Sequence, residues 1–222
     1  MDRSDTVIFA CSALEIYVSA AQEKEGTCYP AVFLDKENHM EPKCMRQCIL
    51  DAEKSLPATV KNVLVAMGFC GGALDSVSFS RRFVIPRVDD CVSMMLQTDG
   101  QYNPNPKETG HLYMMEPDPE DFSFEKMFQD NQTGYEGVSP EMLFHMYFDS
   151  YGNLDIVDTG FNDCYSEAYA EKAQENADRI HAALDYVQGG NQMLERLVGG
   201  RWNEQFLVAE PGRLIRHRDF FE

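Results

Sequence analysis

The sequence predicts an α/β protein with a mainly parallel sheet and helices on both faces. Short apolar segments alternate along the chain with segments of helical periodicity, which is the order that right-handed β-α-β units produce. The clearest strand candidate, residues 62–67, contains an unbroken apolar run from Val63 to Met67. Such a run is typical of a strand that is covered on both faces in a parallel sheet. The 222 residues suffice for one large domain or two small ones, with a core that needs no disulfides.

The first half of the chain predicts four strands, each followed by a loop or a helix. The strand candidates are residues 6–10, 31–34, 62–67 and 83–85. A helical pattern follows the first strand to about Gln22, and Pro42 is typical of the first turn of a second helix. The glycines around Cys70 predict a tight turn that leads into a further helix. The pair Asp89–Asp90 is typical of a helix N-cap and predicts a helix up to Leu96.

The second half is less regular but continues the alternation. Its strand candidates are residues 111–114, 154–157, 184–187 and 206–208, and its helix candidates are residues 140–147, 165–181 and 191–197. An acidic turn at residues 116–121 precedes a further predicted helix that holds Phe124 and Phe128. A polar loop rich in Asn and Pro separates the two halves at residues 98–109. We therefore expect a single domain over residues 1–222, with a sheet that is either continuous or divided into two lobes near residues 98–109.

Composition and charge exclude several classes of function. The chain has 37 acidic and 19 basic residues and a formal net charge of -18, so nucleic acid and anionic membrane surfaces repel it. No segment approaches the roughly 18 consecutive apolar residues of a membrane span. The N-terminus lacks the basic region and the small-residue cleavage site of a secretion signal, so we expect a cytoplasmic protein. The seven cysteines, an odd number, are expected to be thiols or metal ligands in that reducing compartment.

Four residues that bind soft or borderline metal ions follow the predicted strands. In an open parallel sheet, functional groups gather beyond the carboxyl ends of the strands. Cys11 ends the first strand and His39 lies in the loop after the second. Cys70 follows the third strand, and Cys91 opens the helix after the fourth. Three thiolates and one imidazole form a tetrahedral zinc set and also suit other thiophilic ions. The alternative is that the cysteines are small core residues, since free Cys is among the most buried residue types.

The segment Gly68–Gly72 allows a second chemistry. It fits G-x-C-x-G, the cysteine form of the nucleophile elbow, and a helix N-terminus would favour the Cys70 thiolate. Such a nucleophile needs an acid and an imidazole later in the chain. The candidates are Asp155 or Asp158, with His181 or His217. A tight strand-to-helix turn that requires glycine explains the same glycines without catalysis.

Several short motifs follow one another in a characteristic order. They are the segments Ala10–Cys11, His39–Pro42, Asn62–Gly72, Ile85–Cys91 and Gly110–Met114, with a tail at Leu194–Pro211. This ordered set resembles an uncharacterised family, domain of unknown function 1638. Its members show an early A-C, an H-x-x-P, a strand ending in Y-G-x-C-G, then I-P-R, D-C and a G-T-Y-Y-L segment. The resemblance covers about residues 6–215.

The resemblance implies a ligand set and a biological setting. The family's characteristic residues include the same three cysteines and one histidine, and its genes often neighbour those of corrinoid-dependent methyltransferases in anaerobic bacteria and archaea. We therefore expect a cytosolic metal-binding accessory protein of corrinoid-dependent methyl transfer or one-carbon metabolism. Zinc, or another thiophilic ion, would be the cofactor, and a corrinoid protein or a methyltransferase the partner. The alternatives are a metal-free enzyme that uses Cys70 as its nucleophile, and a non-catalytic binding module for the same partners.

Overall fold

A computed structural model gives the fold of residues 5–36, 38, 41–98, 102–124 and 137–222. The strands are β1 (Thr6–Cys11), β2 (Ala31–Leu34), β3 (Asn62–Ala66), β4 (Arg82–Pro86), β5 (His111–Met114), β6 (Asn153–Asp158), β7 (Ala183–Gln188) and β8 (Phe206–Ala209). The helices are α1 (Glu15–Glu25), α2 (Pro42–Ser55), α3 (Cys91–Met95), α4 (Pro140–Phe148), α5 (Glu167–Arg179), α6 (Gln192–Val198) and α7 (Arg218–Phe221). Within these ranges, no helix is long and apolar enough to cross a membrane. The alternation of helices with mainly parallel strands confirms the predicted fold class.

The chain forms two compact units, and the first is built on a five-stranded sheet. This unit consists of Met1–Pro106 and Asn191–Glu222. The strand order is β2-β1-β3-β4-β8, in which β1 to β4 are parallel and β8 pairs antiparallel with β4. The parallel strands therefore all end on one side of the sheet. We call this side the carboxyl edge, where the strands end at Cys11, Leu34, Ala66 and Pro86.

A buried apolar cluster holds α2 against this sheet. Its members come from the strands and from one face of α2, and they include Phe9, Val65, Phe83, Met45 and Ile49. Each of these side chains is almost completely removed from water, and burial of such a side chain contributes roughly 1.5–3 kcal/mol. The helix begins at Pro42, where the Glu41 carboxylate accepts a hydrogen bond from the Lys43 backbone N–H. The packing of Met45 and Ile49 against the sheet therefore positions the first turn of α2.

The second unit, Lys107–Gly190, contains the parallel three-stranded sheet β5-β6-β7. One face of this sheet packs against α5 through a cluster that includes Leu154, Ile156, Ala173 and Ala177. Side chains alternate between the two faces of a strand. His111, Tyr113 and Asp155 therefore share the opposite face, because Tyr113 lies directly across from Asp155 in the β5–β6 pairing.

The prediction of a helix after the Cys70 turn is wrong. The chain instead forms a 3-10 turn over Cys70–Gly72, followed by irregular turns. Gly71 and Gly72 both have positive φ, 63° and 98°, which a right-handed helix does not allow. The predicted helix that was to hold Phe124 and Phe128 falls largely outside the described residues, which end at Phe124 and resume at residue 137.

Gly68 lies where the loop after β3 touches the loop after β4, backbone against backbone. A Cβ atom added at Gly68 would lie 2.7 Å from the Asp90 Cα and 2.8 Å from the Asp89 carbonyl carbon. Real Cβ atoms do not come this close to a backbone, and neither loop offers a flexible side chain that could move aside. Only glycine therefore permits the two loops to meet at this distance.

We predict that Gly68→Ala lowers the free energy of unfolding by about 1–3 kcal/mol, the usual cost of forcing an extra methyl group into a packed site. Gly152→Ala is the matched control, because a Cβ atom at Gly152 meets nothing within 4 Å. Urea denaturation followed by circular dichroism measures both variants. Equal stability of the two variants would show that the loops separate without cost.

Candidate functional site

The loops at the carboxyl edge are joined to one another by hydrogen bonds. The Ser12 hydroxyl oxygen, after β1, accepts from the Lys36 backbone N–H, after β2, at 2.9 Å. The loop after β3 donates twice to the loop after β4, from Phe69 to the Val88 carbonyl at 2.8 Å and from Cys70 to the Asp89 carbonyl at 2.7 Å. The four loops beyond the strand ends are thus joined in two pairs, the loops after β1 and β2 in one and the loops after β3 and β4 in the other.

Cys70 lies in the loop after β3 in a strained backbone conformation. Its φ is +48°, in the left-handed region that residues with a side chain seldom adopt. Helix α2 stabilises this turn. Its Arg46 guanidinium donates to the Gly72 carbonyl at 2.7 Å and to the Ala73 carbonyl at 3.1 Å. A non-glycine residue keeps such a conformation only where the surrounding contacts enforce it, and strain of this kind clusters at functional sites.

The Cys11 and Cys70 thiols lie close enough to influence each other electrostatically. Cys11 is buried at the end of β1, and this burial raises the pKa of its thiol. Burial, followed by the negative charges of Asp90 and of Cys11, raises the pKa of Cys70 to about 12. At neutral pH the two thiols are therefore protonated in the absence of a positive charge. The structure brings these two predicted ligands to the same place, as the strand topology requires.

Of the remaining two predicted ligands, the structure describes Cys91 but not His39. Cys91 is the first residue of α3, directly after Asp90, whose carboxylate caps this helix by accepting from the Ser93 N–H at 2.7 Å. His39 lies outside the described residues. Among the residues that are described, no group of three or more His, Cys, Asp or Glu side chains is arranged to hold a metal ion. The complete four-ligand sphere therefore stays a prediction.

The environment of Cys70 is the opposite of that of an activated nucleophile. Nucleophilic cysteines have a lowered pKa, supplied by an imidazole or another positive group, whereas burial and nearby carboxylates raise the pKa of Cys70. His217 packs with its ring edge-on to Phe69, at 5.4 Å between ring centroids. Within the described part of the chain, neither His217 nor any other imidazole makes a hydrogen bond to the Cys70 sulfur.

The candidate acid Asp155 has a different imidazole as its partner. Asp155 is buried in the second unit, and its Oδ2 lies 2.7 Å from the Nδ1 of His111. This hydrogen bond raises the pKa of His111 above its usual value. Sequence analysis did not pair the two residues. The two residues lie on one face of adjacent parallel strands, which would have indicated the pairing. The sequence does not give the register of these strands, so the pairing could not be predicted from it.

The sheet topology, the hydrogen-bonded loops, the buried thiol of Cys11 and the half-buried thiol of Cys70 define an α/β protein with a candidate cysteine-containing site at a carboxyl edge. The family described as protein of unknown function DUF1638 matches residues 33–198, and the chain belongs to this family. The match confirms the resemblance inferred from the sequence motifs. It includes His39, Cys70 and Cys91, whereas Cys11 precedes it. Comparison with curated proteins and comparison with solved structures gave no match.

We predict that Cys70 is among the slowest cysteines to react with iodoacetamide in the folded, chelator-treated protein. A pKa of about 12 in place of the usual 9.0 leaves roughly a thousandth of the usual thiolate population. The exposed Cys28 and Cys44 should react at least about 100-fold faster. Mass spectrometry of labelled peptides measures each rate, and protein unfolded in urea is the control, in which all rates converge. A fast reaction at Cys70 that is lost in His217→Gln would favour the nucleophile hypothesis instead.

Proposed function

We propose that the chain binds one thiophilic metal ion, zinc by preference, at the carboxyl edge of its first sheet. The ligands would be the sulfur atoms of Cys11, Cys70 and Cys91 and the imidazole of His39. The single observation that carries this proposal is that Cys11, the last residue of β1, and Cys70, in the loop after β3, contact the same apolar cluster at the carboxyl edge and interact electrostatically. Two thiols of this kind would supply half of the ligands of a tetrahedral zinc site.

The electrostatics of this edge suit a cation. Burial in a mainly apolar cluster disfavours thiolates by themselves, and the carboxylates of Asp89 and Asp90 add negative charge beside Cys70. A bound metal ion is often the largest local charge in a site and deprotonates a coordinating thiol outright. A cation at this edge would thus offset the unfavourable interactions that raise the thiol pKa values. The start of α2 lies beside the Cys70 turn, because a Cβ added at Gly71 would lie 3.2 Å from the Pro42 side chain. In sequence, His39 precedes Pro42 by three residues and Cys91 directly follows Asp90.

The chain's own residues hold the site in place. Arg46 ties the Cys70 turn to α2, and Gly68 permits the contact that joins the Cys70 loop to the loop before Cys91. A zinc ion bound there would supply Lewis-acid chemistry to a thiol or a methyl acceptor if one ligand position is open, and structural stability if all four are filled. The strained backbone at Cys70 is consistent with a functional role, because strain of this kind clusters at functional sites.

The role that we propose for this site is that of a cytoplasmic accessory protein in corrinoid-dependent methyl transfer or one-carbon metabolism. A corrinoid protein or a methyltransferase would be its partner. This part of the proposal rests on the motif resemblance and on the membership of the DUF1638 family. A non-catalytic binding module for the same partners would use the same surface without an open metal position.

The metal proposal predicts close to one equivalent of zinc in protein purified without chelator. X-ray absorption should give zinc-to-sulfur distances of about 2.3 Å and zinc-to-nitrogen distances of about 2.0–2.1 Å. Cys70→Ser should lower the occupancy severalfold, because a hydroxyl is a poor zinc ligand. Cys28→Ser is the matched control, since Cys28 is exposed and lies outside the predicted ligand set. Protein that holds no transition metal and takes up none on titration would contradict the proposal.

The partner proposal predicts a saturable complex between the zinc-loaded chain and a corrinoid protein encoded near it. Size-exclusion chromatography with light scattering detects the complex, and metal-free protein is the comparison. A complex that forms equally well without metal would favour the binding module. Failure to bind any neighbouring corrinoid protein or methyltransferase would remove the accessory role while leaving the metal site intact.

A further inference from the structure

The chain enters the second unit through a short segment, residues 107–110, which we call the entry segment. The Glu108 backbone N–H donates to the Tyr113 hydroxyl at 2.8 Å, and the Glu108 carbonyl accepts from the His111 N–H at 3.3 Å. The Glu108 carboxylate lies 3.6 Å from the Nε2 of His111. His111 therefore faces the entry segment with one ring nitrogen and the buried Asp155 of β6 with the other.

The Asp155 carboxylate decides which ring nitrogen of His111 keeps its proton. Its Oδ2 lies 2.7 Å from Nδ1, and its Oδ1 is buried without a hydrogen-bond partner among the described residues. Loss of the Nδ1 proton would leave this buried carboxylate with no donor from those residues, which is costly. A neutral imidazole carries one proton and uses its other nitrogen as an acceptor. Deprotonation therefore takes the proton from Nε2, the nitrogen that faces Glu108.

The groups around His111 favour its protonated form. The titratable and charged groups of this cluster come from β5, β6, β7 and the entry segment, and they are Tyr113, Asp155, Asp185, Glu108 and Lys107. The three carboxylates, above all through the hydrogen bond to Asp155, raise the pKa of His111 above its usual 6.5. Burial raises the pKa of Tyr113, so its hydroxyl stays neutral where His111 titrates.

We propose that His111 is a pH-sensitive latch between the entry segment and the sheet of the second unit. The imidazolium donates to Asp155 through Nδ1 and attracts the Glu108 carboxylate through Nε2. The neutral ring keeps the bond to Asp155 but presents a lone pair to Glu108, which repels the carboxylate. The latch is therefore closed at pH 6.5 and below, and it opens as the pH rises through the raised pKa of folded His111.

The latch controls local opening of the entry segment and not the stability of the whole unit. The Glu108 side chain is 75% exposed, and exposed ion pairs contribute little to the free energy of unfolding. The hydrogen bond from the Glu108 N–H to the neutral Tyr113 hydroxyl does not change with the charge of His111. The pH therefore changes how often the segment opens, which hydrogen exchange measures. The four predicted metal ligands all lie outside this unit, so the latch is independent of the proposed function.

The test is nuclear magnetic resonance of the ¹⁵N-labelled protein at pH values on both sides of the His111 titration. Spectra of the ring nitrogens should show that neutral His111 carries its proton on Nδ1. Hydrogen exchange of the Glu108 amide, corrected for the intrinsic effect of pH on exchange, measures opening of the entry segment. We expect the protection of this amide to fall about two- to fivefold as His111 loses its proton, the effect of one exposed ion pair.

Glu108→Gln separates the latch from a general effect of pH. The glutamine amide can accept from protonated Nε2 and donate to neutral Nε2, so protection should no longer follow the His111 titration. The substituted side chain is exposed, which leaves the sheet intact. His145→Gln is the matched control, because it removes a surface pair in which the ring nitrogen lies 2.9 Å from Asp149. The dependence on pH should persist in this control.

Three results would each overturn the proposal. The first is equal protection of the Glu108 amide on both sides of the His111 titration. The second is the same fall in protection in Glu108→Gln as in the wild type. The third is a neutral His111 ring with its proton on Nε2.

Discussion

The contact between the loop after β3 and the loop after β4 is the constraint on which the carboxyl edge depends. It consists of two short backbone hydrogen bonds, from Phe69 and Cys70 to the carbonyls of Val88 and Asp89, and it exists because Gly68 has no side chain. The contact sets the position of Cys70 relative to Asp90 and thereby the charge around its thiol. The hydrogen bond to the Val88 carbonyl also holds the first residues of the loop after β4 in place. The proposed metal site therefore depends on this pair of loops.

Desolvation decides the chemistry of the thiols at this edge. A cysteine at a helix N-terminus would ionise easily, but the 3-10 turn at Cys70–Gly72 offers no such helix, and Cys70 packs against the apolar cluster. The nearby carboxylates act in the same direction as burial. A site of this kind favours chemistry that begins with a cation, because only a positive charge makes buried thiolates stable.

The arginines of this acidic chain differ in how their guanidinium donors are bonded. Arg81 and Arg46 are structural, since their guanidinium groups donate to backbone carbonyls such as those of Val60 and Gly72. Such bonds satisfy carbonyls that would otherwise lose their partners on burial. Arg87 differs, because its Nε has no acceptor among the described residues. Only the contacts, and not the sequence, distinguish arginines whose donors support the backbone from one with a donor that the fold does not use.

The sequence by itself determined the fold class, because unbroken apolar runs such as Val63–Met67 and their alternation with helical patterns are local properties of the chain. It also placed Cys11 and Cys70 at one edge, since parallel strands end on the same side. The tertiary structure alone decided that Cys70 lies in a strained turn, that β8 runs antiparallel to β4, and that Asp155 pairs with His111. These features arise from contacts between residues distant in sequence. Burial, register and charge at such contacts have no local pattern from which they could be predicted.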